Sequence, residues 1–269
     1  MHELSASDRR ALLATCVAGA AAAAKLIRER AETRTSIRWE EKGRADFVSE
    51  VDRGAEEIIA SIVHERHTDA RMLGEELSPD LDTRGGLAFV VDPLDGTTNF
   101  LHGFPWYAVS IAALVDGALQ ASAILNVPTG ELFTATLGGG ARRNGQPITV
   151  STIDDPLRAL VGTGMPFKSG EGVDEYLRMM NAVMRGTAGI RRPGSASLDL
   201  ADVACGRFDA FWELRLAPWD IAAGILLVRE AGGVITDLAG APVKVDHTGL
   251  VAGNAKMHAW LMDVIGRRG

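Results

Sequence analysis

The sequence predicts a mixed fold of helices packed on sheets, α+β in its first half and α/β in its second. Two observations carry this. Short apolar runs bounded by Gly, Asp and Asn follow one another between Leu87 and Leu137, as antiparallel strands do. From Thr149 onward, strand-like runs alternate with helical patterns, as in α/β units. Apolar residues are 46% of the chain and charged residues 23%, so its 269 residues can bury a sizeable core. Thirty glycines point to many tight turns.

A helical pattern runs from Ser7 to Ala31. Ser5 with Asp8 makes a capping box, and Lys25, Arg28 and Arg30 suit its last turns. Arg9-Arg10 before the Ala-rich stretch resembles a signal peptide, but Glu3 and Asp8 are wrong for a basic leader. Alanine also favours helix more than membrane, so a first helix outside any bilayer is expected. Residues 42–48 read as a turn entering a short extended piece. Glu50 to Arg66 reads as a helix with Ile58, Ile59, Ile62 and Val63 on one side. Arg71 to Gly74 is a strand, and Leu87 to Val91 a buried one.

Tyr107–Val115 and Gly117–Val127 read as a hairpin across Asp116-Gly117, with Glu131–Leu137 as a third strand and Asn144-Gly145 as a further turn. Beyond Thr149, strands are expected at 159–163, 190–191, 210–213, 234–236 and 250–252. Helices are expected at 173–184, 195–204, 220–231 and 255–265. Two subdomains sharing a cleft, residues 1–148 and 149–269, fit this pattern.

Net charge is −7, from 28 basic and 35 acidic residues, and no long basic run occurs, which argues against a dedicated nucleic-acid binder. Cys16 and Cys205 read as small apolar residues rather than a disulfide, which suits a reducing cytoplasm.

The most informative segment is Asp92-Pro93-Leu94-Asp95-Gly96-Thr97-Thr98-Asn99-Phe100. Two carboxylates three apart read as sitting on a turn rich in Gly and Thr at a strand's C-terminal edge, where open α/β sheets place ligand chemistry. Neighbouring carboxylates repel, so a site holding both ionised calls for a cation, and hard oxygen ligands suit Mg²⁺. Mg²⁺ on loop carboxylates points to phosphate chemistry. Glu75-Glu76 follows a strand and a glycine, and Asp220 stands in Pro218-Trp219-Asp220 before a helix. Taken singly, Asp220 is a helix N-cap, Asp95-Gly96 a turn and Glu75-Glu76 solvated surface. Together they match what phosphate-ester hydrolysis needs. Two cations roughly 3.5–4 Å apart clamp the phosphoryl oxygens and activate water, with a carboxylate such as Asp92 bridging them. Backbone N–H groups of Gly96 and Thr97 would cradle phosphate, and the Thr97 hydroxyl would orient the water. The Asp-x-Asp-x-Thr of haloacid-dehalogenase-type phosphatases is absent, because two residues separate Asp92 from Asp95.

With these residues in place, the chain resembles the inositol monophosphatase family, and bacterial inositol-1-monophosphatases in particular. The 92–100 segment is similar to the family's first signature, and Trp219-Asp220-Ile221-Ala222-Ala223-Gly224 to its second. Gly74-Glu75-Glu76, Asp46 to Asp52 and the 230–254 ending match further blocks, so the likeness covers nearly the whole chain. It implies a layered α-β-α-β-α sandwich, a homodimer, and two or three Mg²⁺ at a lithium-sensitive site. Glu75, Asp92 and the Leu94 carbonyl would hold one metal; Asp92, Asp95 and Asp220 a second; Glu75 a third through water. Thr97, partnered by Asp52, would position the nucleophilic water, with Glu75 as the third catalytic residue. Substrate contacts would come from Asp95, Gly96, Thr97, Gly194, Ser195 and Ala196, with Glu213 on substrate hydroxyls.

Met165, in Thr163-Gly164-Met165-Pro166-Phe167, stands where some relatives offer a polar residue. The implied activity is hydrolysis of inositol monophosphate, with other polyol phosphates tolerated. Histidinol phosphate is the alternative substrate. Some bacterial members instead act as protein-binding factors in ribosomal RNA transcription.

Overall fold

The computed structural model describes residues 4–43, 46–80, 82–167 and 170–266. In chain order its elements are α1 (Ala6–Glu32), β1 (Trp39–Gly43), β2 (Asp46–Ser49), α2 (Glu50–Arg66), β3 (Arg71–Gly74), β4 (Leu87–Asp95), α3 (Thr97–His102), β5 (Ala108–Val115), β6 (Ala118–Asn126), β7 (Leu132–Thr136), β8 (Gly140–Arg143) and β9 (Gln146–Pro147). Then follow β10 (Leu160–Thr163), α4 (Val173–Met184), β11 (Gly189–Arg191), α5 (Ala196–Ala204), β12 (Ala210–Leu216), α6 (Pro218–Glu230), β13 (Val234–Asp237), β14 (Thr248–Gly253) and α7 (Ala255–Gly266).

Two sheets organise the chain. The first has seven strands in the order β3-β4-β5-β6-β7-β8-β9, antiparallel except where β3 runs parallel to β4. The second has five, in the order β11-β10-β12-β14-β13. The period-two alternation of their side chains sorts the interior into three cores. Phe89 and Val91 of β4 pack with α1 and α2, whereas Val90 faces the other way, toward α5 and α6. Phe211 of β12 and Leu250 of β14 close that central core from the second sheet. Trp212 and Val251 point outward to α4 and α7. The result is an α-β-α-β-α sandwich.

The end signals act as expected at two helices. Ser5 and Asp8 exchange hydrogen bonds at the start of α1, with Asp8 N–H donating to Ser5 Oγ at 3.2 Å and Ser5 N–H to Asp8 Oδ2 at 3.0 Å. Ser49 and Asp52 do the same for α2. Asp116-Gly117 and Asn144-Gly145 both have positive φ at each residue, as tight hairpins require.

α1 is long and apolar enough by composition to cross a membrane. Here Leu12, Cys16, Ala20, Ala23, Ala24 and Ile27 form its buried face within the core. Arg28 Nε donates to the Val127 carbonyl at 2.9 Å and ties its end to the first sheet. Cys16 and Cys205 are free thiols, Cys16 buried and Cys205 half-buried.

Four expectations need correction. The α2 stripe is Val51, Ala55, Ile59 and Val63, a strict i, i+4 row, and Ile58 and Ile62 are half-buried at its edge. The piece at 46–48 is the second arm of a two-stranded hairpin whose first arm, β1, is wholly exposed and lacks strand periodicity. Arg44 and Ala45, read as part of a turn, lie outside the described residues. The second sheet is mixed rather than α/β throughout, since β14 pairs antiparallel with both β12 and β13. Finally, Asp92 and Asp95 are not on a turn: β4 runs through both.

Candidate metal-dependent active site

The last correction explains how two carboxylates three apart come to face one point. On a regular strand, residues i and i+3 lie on opposite faces. Asp92 pairs with Ser110 and Asp95 with Ala108, so three steps along β4 match two along β5. The extra residue is a β-bulge, which bends the strand and re-aims its side chains. Asp220 arrives from α6. Among the described residues, Asp92, Asp95 and Asp220 offer carboxylate oxygens that all lie within 4.8 Å of one another.

Each carboxylate is fixed by local backbone chemistry. Leu94 N–H donates to Asp92 Oδ1 at 3.0 Å across the bulge. Asp220 is the third residue of α6, and its Oδ2 accepts the Ala217 N–H at 2.7 Å. Ala217, not Asp220, is therefore the N-cap, and Asp220 is the acidic arm of a capping box. Asp95 Oδ2 takes Ser197 N–H at 2.8 Å, Ser195 Oγ at 2.6 Å and Ser197 Oγ at 2.5 Å, all from the start of α5.

Asp52 obeys the same logic as Asp220. As third residue of α2, its Oδ2 accepts Ser49 N–H at 2.9 Å, while Oδ1 accepts the Thr97 hydroxyl at 2.8 Å. The Leu94 carbonyl stands 3.1 Å from the same hydroxyl. Gly96 caps α3 with φ +96°, and a Cβ there would press on the Trp106 and Gly194 carbonyls.

Glu75 lies on the turn after β3. Its Oε1 takes Lys42 Nζ at 3.1 Å, and Glu76 Oε1 takes the same ammonium at 2.8 Å. Glu75 falls outside the three-carboxylate group, although its charge acts on both Asp92 and Asp95. Glu56, fully buried beneath that turn, accepts the Glu76 and Leu77 N–H groups at 2.8 and 3.0 Å. A Cβ on Gly74 would overlap the Glu56 carboxylate, so glycine is required there.

Glu75, Asp92, Asp95, Gly96, Thr97 and Asp220 line a cavity of about 980 Å³ with Gly194, Ser195, Ala196, Met165 and Glu213. Glu213 reaches it from β12, its carboxylate packed on Gly164, where any Cβ would overlap it.

Burial pushes Asp92 well above the usual carboxylate range, and the charges of Glu75, Asp95 and Asp220 push it further. Burial also raises Asp95, against the bonds from Ser195 and Ser197. Burial lifts Glu76 to about 7 despite its bond to Lys42. Three carboxylates so close, two of them buried, fit a divalent cation: all are hard oxygen ligands, and their like charges repel at this distance.

Some site residues escaped the sequence reading. Ser197 carries two of the three bonds on Asp95; its one signal is a hydroxyl in the otherwise apolar stretch Ala196-Ser197-Leu198. Asn99 Nδ2 donates to the Trp106 carbonyl at 2.7 Å and the Pro193 carbonyl at 2.9 Å, tying the 92–100 segment to the loop before α5. Lys42 and Arg192 also line the cavity.

The layered sandwich and the acidic cleft define a class of sugar-phosphatase-like proteins, and comparison with known proteins gives the family. The inositol monophosphatase family profile matches residues 8–267, and the chain belongs to that family. It is 42% identical over 258 residues to the Nus factor SuhB of Pseudomonas aeruginosa, covering 94% of this chain and 95% of that protein. It is 46% identical over 226 residues to the inositol-1-monophosphatase of Rhizobium meliloti, covering 84% and 85%. The crystal structure of the extragenic suppressor protein suhB from Bartonella henselae superposes with a TM-score of 0.91 at 40% identity, covering 96% of this chain and 99% of that one.

Proposed function

We propose that this protein hydrolyses inositol monophosphate to myo-inositol and phosphate, with Mg²⁺ as cofactor and tolerance for other polyol phosphates. The observation that carries the reading is the convergence of Asp92, Asp95 and Asp220 within 4.8 Å at a cavity that Thr97 also lines, its hydroxyl held by the buried Asp52. Two or three Mg²⁺ bound there would supply charge neutralisation for the phosphoryl oxygens and a lowered pKa for the attacking water. Asp92, Asp95, Asp220, Glu75 and the Leu94 carbonyl are the groups that would hold them.

The remaining work falls to the chain's own residues. Asp52 accepts a hydrogen bond from the Thr97 hydroxyl, which turns the lone pairs of Thr97 Oγ1 outward to accept a hydrogen bond from the incoming water. One water lone pair is thereby aimed away from the threonine. Backbone N–H groups of Gly96 and Thr97 and the Gly194-Ser195-Ala196 segment receive the phosphate. The α5 hydroxyls on Asp95 Oδ2 favour its ionised form and so oppose part of the effect of its burial. Phosphoryl transfer needs positioning and charge neutralisation rather than a protein nucleophile, and this set supplies both. Glu213 accepts hydrogen bonds from the leaving group's hydroxyls. We read the active form as a cytoplasmic homodimer whose two subdomains, 1–148 and 149–269, share the cleft.

The relative named as a Nus factor favours one further reading, in which the chain serves as a protein partner in transcription. The intact carboxylate set supports catalysis, since a pure binding module has no need of it.

The test is Mg²⁺-dependent phosphate release from inositol 1-phosphate beside histidinol phosphate. Preference for the inositol ester supports Glu213 as a polyol reader. Preference for histidinol phosphate would keep the metal chemistry and replace the substrate.

A further inference from the structure

Among the described residues lining the cavity, one fully buried carboxylic acid has no task in the chemistry above. Asp199 stands in α5 between Leu198 and Leu200 and is 1% exposed. It lines the same cavity as Glu213 and Arg192. Its Oδ1 is buried without a hydrogen-bond partner.

That arrangement is costly. A buried polar oxygen without a partner gives up the hydrogen bonds it has in water and gains none in exchange. The residues on either side are fully buried and apolar, so a leucine here would extend the core. Sequences that break a packing rule at a cavity wall usually do so for a ligand. The surroundings fit a particular kind of ligand. Burial pushes the acid well above the usual carboxylate range, and the charge of Glu213 pushes it further, against the pull of Arg192. A carboxyl group kept neutral both donates and accepts a hydrogen bond, which matches an alcohol.

We infer that Asp199 is a specificity-determining residue that pairs with Glu213 to hydrogen-bond a hydroxyl group on the leaving alcohol of the substrate. This rests on the phosphatase reading and adds to it a second group, Asp199, beside Glu213 on the non-phosphate half. The inferred preference is for esters of polyhydroxylated alcohols over esters whose leaving group carries no hydroxyl.

The experiment compares inositol 1-phosphate with phenyl phosphate, which offers no hydroxyl on its leaving group, at saturating Mg²⁺. Wild type is set against Asp199→Leu, Asp199→Ala and Asp199→Asn, with melting temperatures measured beside the kinetics. Asp199→Leu and Asp199→Ala should each lose about tenfold in kcat/KM on inositol 1-phosphate, mostly through KM, the scale expected for one substrate hydrogen bond. Phenyl phosphate should be hydrolysed within twofold of wild type. Asp199→Asn, which still donates and accepts, should keep most of the polyol activity. Asp199→Leu should melt no lower than wild type, because the orphaned oxygen is gone.

Equal losses on both esters would overturn the inference, as would a leucine variant that handles inositol 1-phosphate like wild type. A lower melting point in Asp199→Leu and Asp199→Asn alike would make the role structural and overturn it too. If wild type releases phosphate from neither ester, the phosphatase reading itself falls, and this inference with it.

Discussion

At the scale of single residues, the site is built from carboxylates that each serve two masters. Asp52 and Asp220 are third residues of their helices and give one oxygen to the N-cap N–H. That bond sets their side-chain direction before any ligand arrives, so the site is held in position by ordinary helix capping. Asp52 then receives Thr97, which is the link most open to test. Thr97→Ser should stay within a few-fold of wild-type turnover, because the hydroxyl remains. Thr97→Val should lose about 10²-fold in kcat, the lower end of what a positioned proton acceptor contributes. It should also lose about 1–2 kcal/mol of stability in urea titration, since Asp52 Oδ1 gives up its hydrogen bond while buried. Equal kcat in the two variants would remove Thr97 from the reaction.

At the scale of elements, the helix starts and strand ends carry the function. Ser197→Ala should weaken metal affinity about tenfold, measured by calorimetric Mg²⁺ titration, because Asp95 Oδ2 loses one of its three donors. Gly74→Ala should cost about 1–3 kcal/mol by overpacking against the Glu56 carboxylate.

Much at this scale could be read from sequence. Glu50–Arg66, Arg71–Gly74 and Val173–Met184 have the expected bounds, because caps, glycines and apolar periodicity are local signals. The layered fold and the family also followed from the 92–100 and 219–224 segments. Asp92, Asp95 and Asp220, read from the sequence as one group of carboxylates, lie within 4.8 Å of one another. What escaped was long-range. The bulge in β4 exists only relative to its partner β5, so Asp92 and Asp95 read as a turn. Ser197 reaches Asp95 across 102 positions, and no local pattern announces that contact. Asp199 sits in an apolar helix with nothing beside it to mark it. The β1 strand is fully exposed, so it has no apolar alternation to reveal it.

At the scale of the whole molecule, two sheets facing one helical layer bring residues from β4, α5, β12 and α6 to a single cleft. The clustering of acids there makes stability depend on pH. Asp92, Asp95 and Glu76 all have folded values raised above the unfolded ones, Glu76 to about 7. The folded state then holds more protons than the unfolded state from about pH 4 upward. Stability contributed by these groups falls as pH rises through that interval. Chelated protein should therefore melt at a lower temperature at pH 8 than at pH 5. Saturating Mg²⁺ should raise the melting temperature more at pH 8, since the cation offsets the ionised cluster. An equal increment at both pH values would contradict a metal site on these acids. A partner role separates from catalysis at this scale as well. If binding to another protein is what a cell requires, Asp95→Asn should still rescue a strain lacking the gene.

The central claim is that Asp92, Asp95 and Asp220 hold the catalytic cation, and the direct measurement is phosphate release from inositol 1-phosphate against Mg²⁺ concentration. Wild type should show saturable Mg²⁺ activation. Asp95→Asn should fall by about 10³-fold, the scale of losing charge stabilisation at the phosphoryl group, while its melting temperature without metal stays at or above that of wild type. Wild-type-like turnover in folded Asp95→Asn, or wild-type turnover that persists unchanged in chelator, would contradict it.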